Sequence, residues 1–264
     1  MSTVVLEISD EVAVLTLNRP ESLNALNLLM IEQLRELTTK IAFDPQVRAV
    51  VLRGAGDHFM AGGDLKWFRE QLAQPPHQRQ ARFEGMLADL HASVLNLRGM
   101  GKPVVAGVQG AVAGFGMSLM MACDLVLAAD NAYFTLAYCN IGLSPDGGAT
   151  WSLPRQVGLR QAMEIALLGE RFDAIRAREL GLVNRVLPLA DLASETLSLA
   201  RRMAAGPAGA LARTKALLNQ SLAASLEAQL HAEQRAFAAC GAEPDFREGL
   251  AAFFERRPAN YARG

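Results

Sequence analysis

Asp146 lies in the stretch SPDGGATW (144–151), between a proline and a pair of glycines. Proline sets its own φ near about −65° and biases Ser144 away from helix, and the glycines that follow permit almost any turn. A carboxylate placed there has two uses. It can cap the helix that the next residues begin, its oxygens accepting the free N–H groups of the first turn. It can also carry a proton between carbon atoms, provided an apolar site lifts its pKa toward the working range. Capping is the commoner use of an aspartate in this setting, so the residue type alone does not make it catalytic.

Two glycine-bearing stretches offer a complementary chemistry. FMAGGDLKWF (59–68) follows the β-branched run AVVLRG, and GAVAGFGMSLMMACD (110–124) follows PVVAGVQG. Each reads as a strand, a glycine turn and a helix start, a junction that leaves backbone N–H groups unsatisfied and pointing outward. Two such junctions on neighbouring parallel strands can converge on one oxygen, as an oxyanion hole requires. Tight packing of helix on sheet would use the same glycines. Neither stretch is GxxxxGK[ST] or GxGxxG, which disfavours nucleotide binding.

The other titratable candidates are sparse. His91 stands alone on the helical stretch MLADLHASVLNLRGM, and His58, His77 and His231 form no HxxxH or His/Cys cluster, so no metal is expected. Cys123, Cys139 and Cys240 lack CxxC spacing and suit a reducing compartment. MSTVVLEISDE has no basic stretch leading into a long apolar one, and a cytoplasmic location is expected. The apolar region from Ala111 to Ala129 is broken by Asp124 and several glycines, against a membrane span. Lys and Arg total 26 against 27 Asp and Glu, a net charge of −1 that gives no footprint for nucleic acid or a membrane surface.

The elements that must position these groups follow from periodicity. VVLEIS and VAVLTLN predict two strands joined as a hairpin, and Leu28, Ile31, Leu34, Leu37 and Ile41 predict an amphipathic helix. AVVLRG, PVVAGVQG and LVLAAD predict further strands, so an α/β fold is expected with its working loops at strand ends. From about Gly158 onward the pattern is almost wholly helical. The 264 residues divide into a core over 1–200 and a C-terminal helical region over 201–264. The polar stretch REQLAQPPHQRQARFEG (69–85) predicts a mobile surface segment.

LNRPESLNALN (17–27), AGGDL (61–65), KPVVAGVQGAVAGFGMSLMMACDLVLAAD (102–130), LGERFDAIRARELGLVNRVL (168–187) and EGLAAFFERR (248–257) occur in this order over essentially the whole chain. In these stretches the chain resembles the crotonase (enoyl-CoA hydratase/isomerase) superfamily. The resemblance implies a β-β-α spiral core, a C-terminal helical trimerisation region, and a homotrimer or dimer of trimers. It also implies an acyl-CoA substrate, with no cofactor beyond the coenzyme A of the substrate itself. A thioester enolate would be held by the N–H groups of Gly63 and Phe115, the latter where the family commonly has glycine. Coenzyme A contacts would fall to Ser22, Leu23, Ala25, Ala61, Asp64, Leu65 and Lys66. Phe253 and Arg256 match a motif that meets coenzyme A, sometimes from a neighbouring subunit.

Hydratases of this family hold water between two glutamates, and here those positions are Ser118 and Tyr138. Neither supplies a carboxylate. NIGLSPDGGATWSLPR (140–155) instead resembles the phenylacetate-pathway enoyl-CoA isomerases, in which an aspartate at the position of Asp146 is the acid/base, and Tyr138, Phe115 and Trp151 would make its surroundings apolar. Double-bond isomerisation is therefore the expected reaction. The alternatives are an enoyl-CoA hydratase, a dehalogenase or thioester hydrolase with Asp146 as nucleophile, and a non-catalytic coenzyme A binder. His91 lies twelve residues before Pro103, the spacing of the helper histidine in 4-chlorobenzoyl-CoA dehalogenases. It is also read as an ordinary histidine of a helix.

Overall fold

A computed structural model describes residues 2–261. The first two strands, β1 (Val4–Ser9) and β2 (Val12–Leu17), form the expected antiparallel hairpin, with Asp10 and Glu11 both at positive φ in its turn. The amphipathic helix α1 (Leu28–Phe43) then returns the chain to β3 (Ala49–Gly54), which pairs parallel with β2. After α2 (Leu65–Gln71) and α3 (Pro76–Gly99) comes β4 (Val104–Val108), followed by the short β5 (Ala111–Ala113) and α4 (Phe115–Met121). Next are β6 (Leu125–Ala129), β7 (Tyr133–Thr135), α5 (Ala149–Val157), α6 (Leu159–Leu168) and β8 (Phe172–Asp173). The chain continues through α7 (Ala174–Glu179), β9 (Arg185–Leu187) and four helices: α8 (Leu189–Ala204), α9 (Ala208–Ser221), α10 (Leu226–Gly241) and α11 (Pro244–Glu255).

One sheet runs β1-β2-β3-β4-β6-β9, parallel from β2 onward, and a second runs β5-β7-β8. Strand alternation explains why the first sheet is buried on both faces. Leu15, Val50, Leu52 and Ala106 point into the main core, while Val14, Val51 and Val105 point to the opposite face, covered by Leu192, Leu199 and Ala200 of α8. Gly107 lets α8 come close: a Cβ there would lie 2.8 Å from Thr196 Oγ1. The boundary expected at residue 200 falls inside α8, whose Ala200 and Ala204 are buried against the sheet, so the free helical region starts with α9. Lys215 of α9 ties that region down, pairing with Asp124 at 2.8 Å and donating to the carbonyls of Leu97 and Lys102. On the face expected to meet further copies, Phe237, Phe253 and Phe254 are exposed. Among the described residues no helix is long and apolar enough to cross a membrane.

The stretch 69–85, expected as a surface segment, is largely exposed and is mostly helical: it is the end of α2, a short turn and the first half of α3, with Pro76 at the helix start, where its missing N–H costs nothing. Its outer face is polar enough to hide Phe83, which packs edge to face against Trp67 and Phe68. Of the two uses open to Asp146, capping is not made by its side chain. The cap of α5 is Gly148, and the Asp146 carboxylate turns the other way.

Candidate active site

The two glycine stretches meet because their backbones are in contact. Beyond β3 the chain runs along β5, Met60 N–H donating to Ala111 at 3.0 Å and Ala113 N–H donating back to Met60 at 2.9 Å. Gly62 and Gly114 both have positive φ, and a Cβ on Gly114 would sit 3.4 Å from the Gly62 Cα. Immediately beyond them stand Gly63 and Phe115, the first residue of α4. Neither the Gly63 nor the Phe115 N–H takes part in a hydrogen bond among the described residues. Both residues line one cavity of about 420 Å³. Two free backbone donors on fixed, abutting loops are what an oxyanion needs.

Asp146 lines the same cavity, and three side chains hold it there. The Tyr138 hydroxyl donates to its Oδ1 at 2.7 Å, and the Ser118 hydroxyl donates to its carbonyl at 2.9 Å. His91 Nε2 lies 3.4 Å from the Gly147 N, on the loop that carries Asp146. Gly147 has φ +60° and lies against the Phe115 ring, where a Cβ would come within 2.7 Å of it. The benzyl group of Phe115 thus supports the aspartate loop, and its N–H remains free. Burial pushes the Asp146 carboxyl above the ordinary range, while the Tyr138 hydrogen bond and the nearby His91 pull it partly back. Burial, and then the charge of Asp146, push the Tyr138 phenol well above its usual value, so it stays a proton donor. The arrangement is a carboxylate of raised basicity beside two donors for an anion.

The stretches expected to hold coenzyme A also come together. Leu23 C=O accepts the Ala61 N–H at 3.0 Å, Leu26 N–H donates to Gly62 at 2.8 Å, and Asp64 N–H donates to Leu26 at 3.0 Å. Ser22, Leu23 and Ala25 therefore lie alongside Ala61, Asp64 and Leu65, with Leu23, Leu65 and Lys66 exposed. The Asp64 carboxylate serves the chain itself: one oxygen caps α2 at Lys66 N–H, the other pairs with Arg19 at 3.1 Å, and Arg19 also holds the Ala25 carbonyl. Sequence reasoning missed Asn24, which is fully buried and stitches this loop by donating to the carbonyls of Ala55 and His58.

Phe253 and Arg256, at the end of α11, do not border the catalytic cavity of their own chain; Phe253 lies over a separate hollow with Leu250 and Tyr261. Trp151 is also elsewhere. It sits between the guanidinium groups of Arg98 and Arg155, 4.6 and 4.2 Å from its ring, and contributes nothing to the surroundings of Asp146. The apolar wall comes from residues the sequence did not single out: Phe68 of α2, and Phe83, Leu87 and Leu90 of α3. Among the described residues no group of three or more His, Cys, Asp or Glu is placed to hold a metal ion.

Comparisons with known proteins identify the family. A family model described as enoyl-CoA hydratase/isomerase matches residues 7–264. The chain is 38% identical over 259 residues to a probable enoyl-CoA hydratase of Rhodobacter capsulatus, covering 98% of this chain and 97% of that one. It is 35% identical over 261 residues to the 1,2-epoxyphenylacetyl-CoA isomerase of Escherichia coli, covering 99% and 98%. The crystal structure of an enoyl-CoA hydratase from Polaromonas sp. JS666 superposes with a TM-score of 0.92 at 37% identity, over 98% of this chain and 99% of that one.

Proposed function

The chain belongs to the enoyl-CoA hydratase/isomerase family, and from that premise we propose that it shifts a double bond of an enoyl-CoA with Asp146 as the acid/base. The thioester oxygen accepts hydrogen bonds from the Gly63 and Phe115 N–H groups. Asp146 takes a proton from C2 of a 3-enoyl thioester, and the electron pair of that C–H bond delocalises into a dienolate whose charge rests on the held oxygen. The same carboxyl returns the proton at C4, leaving the double bond between C2 and C3. One carboxylate near both carbons is enough, and its raised pKa suits the double task. The loops 22–25 and 61–66 are taken to carry the coenzyme A portion.

The observation that carries this reading is the use made of Ser118 and Tyr138. At the positions where the family's hydratases hold water, both hydroxyls are committed to Asp146. Hydration itself is the second reading, favoured by the name of the Rhodobacter relative. Product analysis in heavy water decides. Isomerisation places solvent deuterium at C4 or C2 of the interconverting enoyl thioesters and leaves crotonyl-CoA hydrated slowly or not at all. Rapid, stoichiometric formation of 3-hydroxyacyl-CoA overturns the assignment.

A pH profile tests the role of Tyr138. Its hydrogen bond favours the ionised carboxylate, so Tyr138→Phe raises the Asp146 pKa further. Because the base must be ionised to act, the acid limb of the kcat/KM profile is expected to move to higher pH. An unmoved limb would mean that Asp146 is not the group titrating in it.

A further inference from the structure

Helix α3 presents two adjoining stripes to two different cavities. Phe83, Leu87 and Leu90 face the cavity that holds Asp146. Arg82, Met86 and Asp89, each one residue earlier, face a second hollow of about 440 Å³ between α1, α2 and α3. Helix α2 divides the same way, with Phe68 toward the first and Trp67 toward the second. Among the described residues Met86 is the one side chain that lines both. The partition is therefore a fixed part and a movable part. Trp67, Phe68 and Phe83 pack edge to face with centroids 5.4, 5.5 and 5.7 Å apart, each ring braced by the other two. Met86 is unbranched, partly buried and adaptable.

The second hollow has a mixed lining. Leu28, Ile31, Trp67 and Met86 are its apolar residues and Glu32, Arg35, Arg82 and Asp89 its charged ones; Arg35 pairs with Asp89 at 3.6 Å and Arg82 donates to Gln71 at 3.1 Å. Arg35, Asp89 and Arg82 are thus engaged with protein partners, Glu32 lines the same hollow, and the apolar side chains on the Met86 side offer contact to the end of a hydrocarbon chain.

We propose that Met86 sets the length of acyl group the protein accepts, by closing the acyl cavity against this second hollow. The inference rests on the acyl-CoA reading of the site. A thioester held at Gly63 and Phe115 extends its acyl group along the wall made by α2 and α3. Groups that end at Met86 are enclosed, and longer ones enter the second hollow only when the thioether moves aside.

Calorimetric binding of saturated acyl-CoAs, which cannot isomerise, tests this apart from the reaction. In the wild type, dodecanoyl-CoA is expected to bind no more tightly than hexanoyl-CoA. Met86→Ala should tighten dodecanoyl-CoA by at least about tenfold relative to hexanoyl-CoA, because a few more methylenes become buried. Met86→Val, a smaller truncation, should show an intermediate change, and it decides the question if the alanine variant does not fold. An unchanged ratio of the two affinities in a folded variant overturns the proposal. Failure of the wild type to bind either thioester would overturn the acyl-CoA reading itself, and this inference with it.

Discussion

Asp146→Asn is expected to lower turnover of a 3-enoyl-CoA by about 10²- to 10⁴-fold, the usual range for loss of a positioned acid/base. Asparagine keeps the shape, and its side-chain oxygen can still accept the Tyr138 hydroxyl. What it loses is the ability to bind and release a proton. Stability should move the other way. Burial raises the folded-state pKa of Asp146 above its unfolded value. A carboxyl of that kind costs nothing below its unfolded pKa of about 3.9, and the native state loses stability as pH rises from there through the folded value. The asparagine variant has no such loss. Its melting temperature at neutral pH is therefore expected to equal or exceed that of the wild type, with the difference disappearing in acid. Normal turnover combined with a lowered melting temperature would return Asp146 to a purely structural role.

That Asp146 does not cap the helix it precedes, and why, shows what this sequence made legible. Asp146 precedes a helix, and propensity favours capping there, but a cap needs the side chain turned toward the first turn. Tyr138, eight residues earlier in the chain, and burial against α4 turn it away, and neither can be seen in local sequence. The hairpin, α1 and the parallel strands were legible because each carries one clear hydrophobic period. The small sheet was not, since β5 and β7 have three residues each and β8 has two, too few to show a period. In 69–85 a polar outer face concealed a helix whose inner stripe supplies the acyl wall. Trp151 misled for another reason: a tryptophan reads as apolar filling, yet cation–π contacts with Arg98 and Arg155 hold it away from the site.

The glycine stretches suit both packing and anion binding, and the structure shows the packing contacts directly beside the two unengaged N–H groups; Gly116→Ala can separate the two uses. Gly116 has ordinary helical φ, so alanine is not strained there by its backbone. Its Cβ, however, would lie 2.5 Å from the Met60 carbonyl oxygen and 2.9 Å from the Met60 Cβ. Met60 cannot give way: it is fully buried and bonded to β5 through both its N–H and its C=O. Relief must come from the start of α4, which carries the Phe115 N–H away from the oxygen it serves. Losing one such donor is expected to lower kcat by roughly 10²- to 10³-fold. The 22–25 and 61–66 loops do not depend on α4 for their mutual hydrogen bonds, so KM should change little. Gly85→Ala is the matched control: nothing lies within 4 Å of its Cβ, and an alanine inside α3 should keep activity and add up to about 1 kcal/mol of stability. A Gly116→Ala enzyme with a lowered melting temperature and wild-type kcat would show that the glycine serves packing alone. The anion would then be held without the Phe115 N–H, because a displacement of α4 that relieves Met60 carries that group out of place.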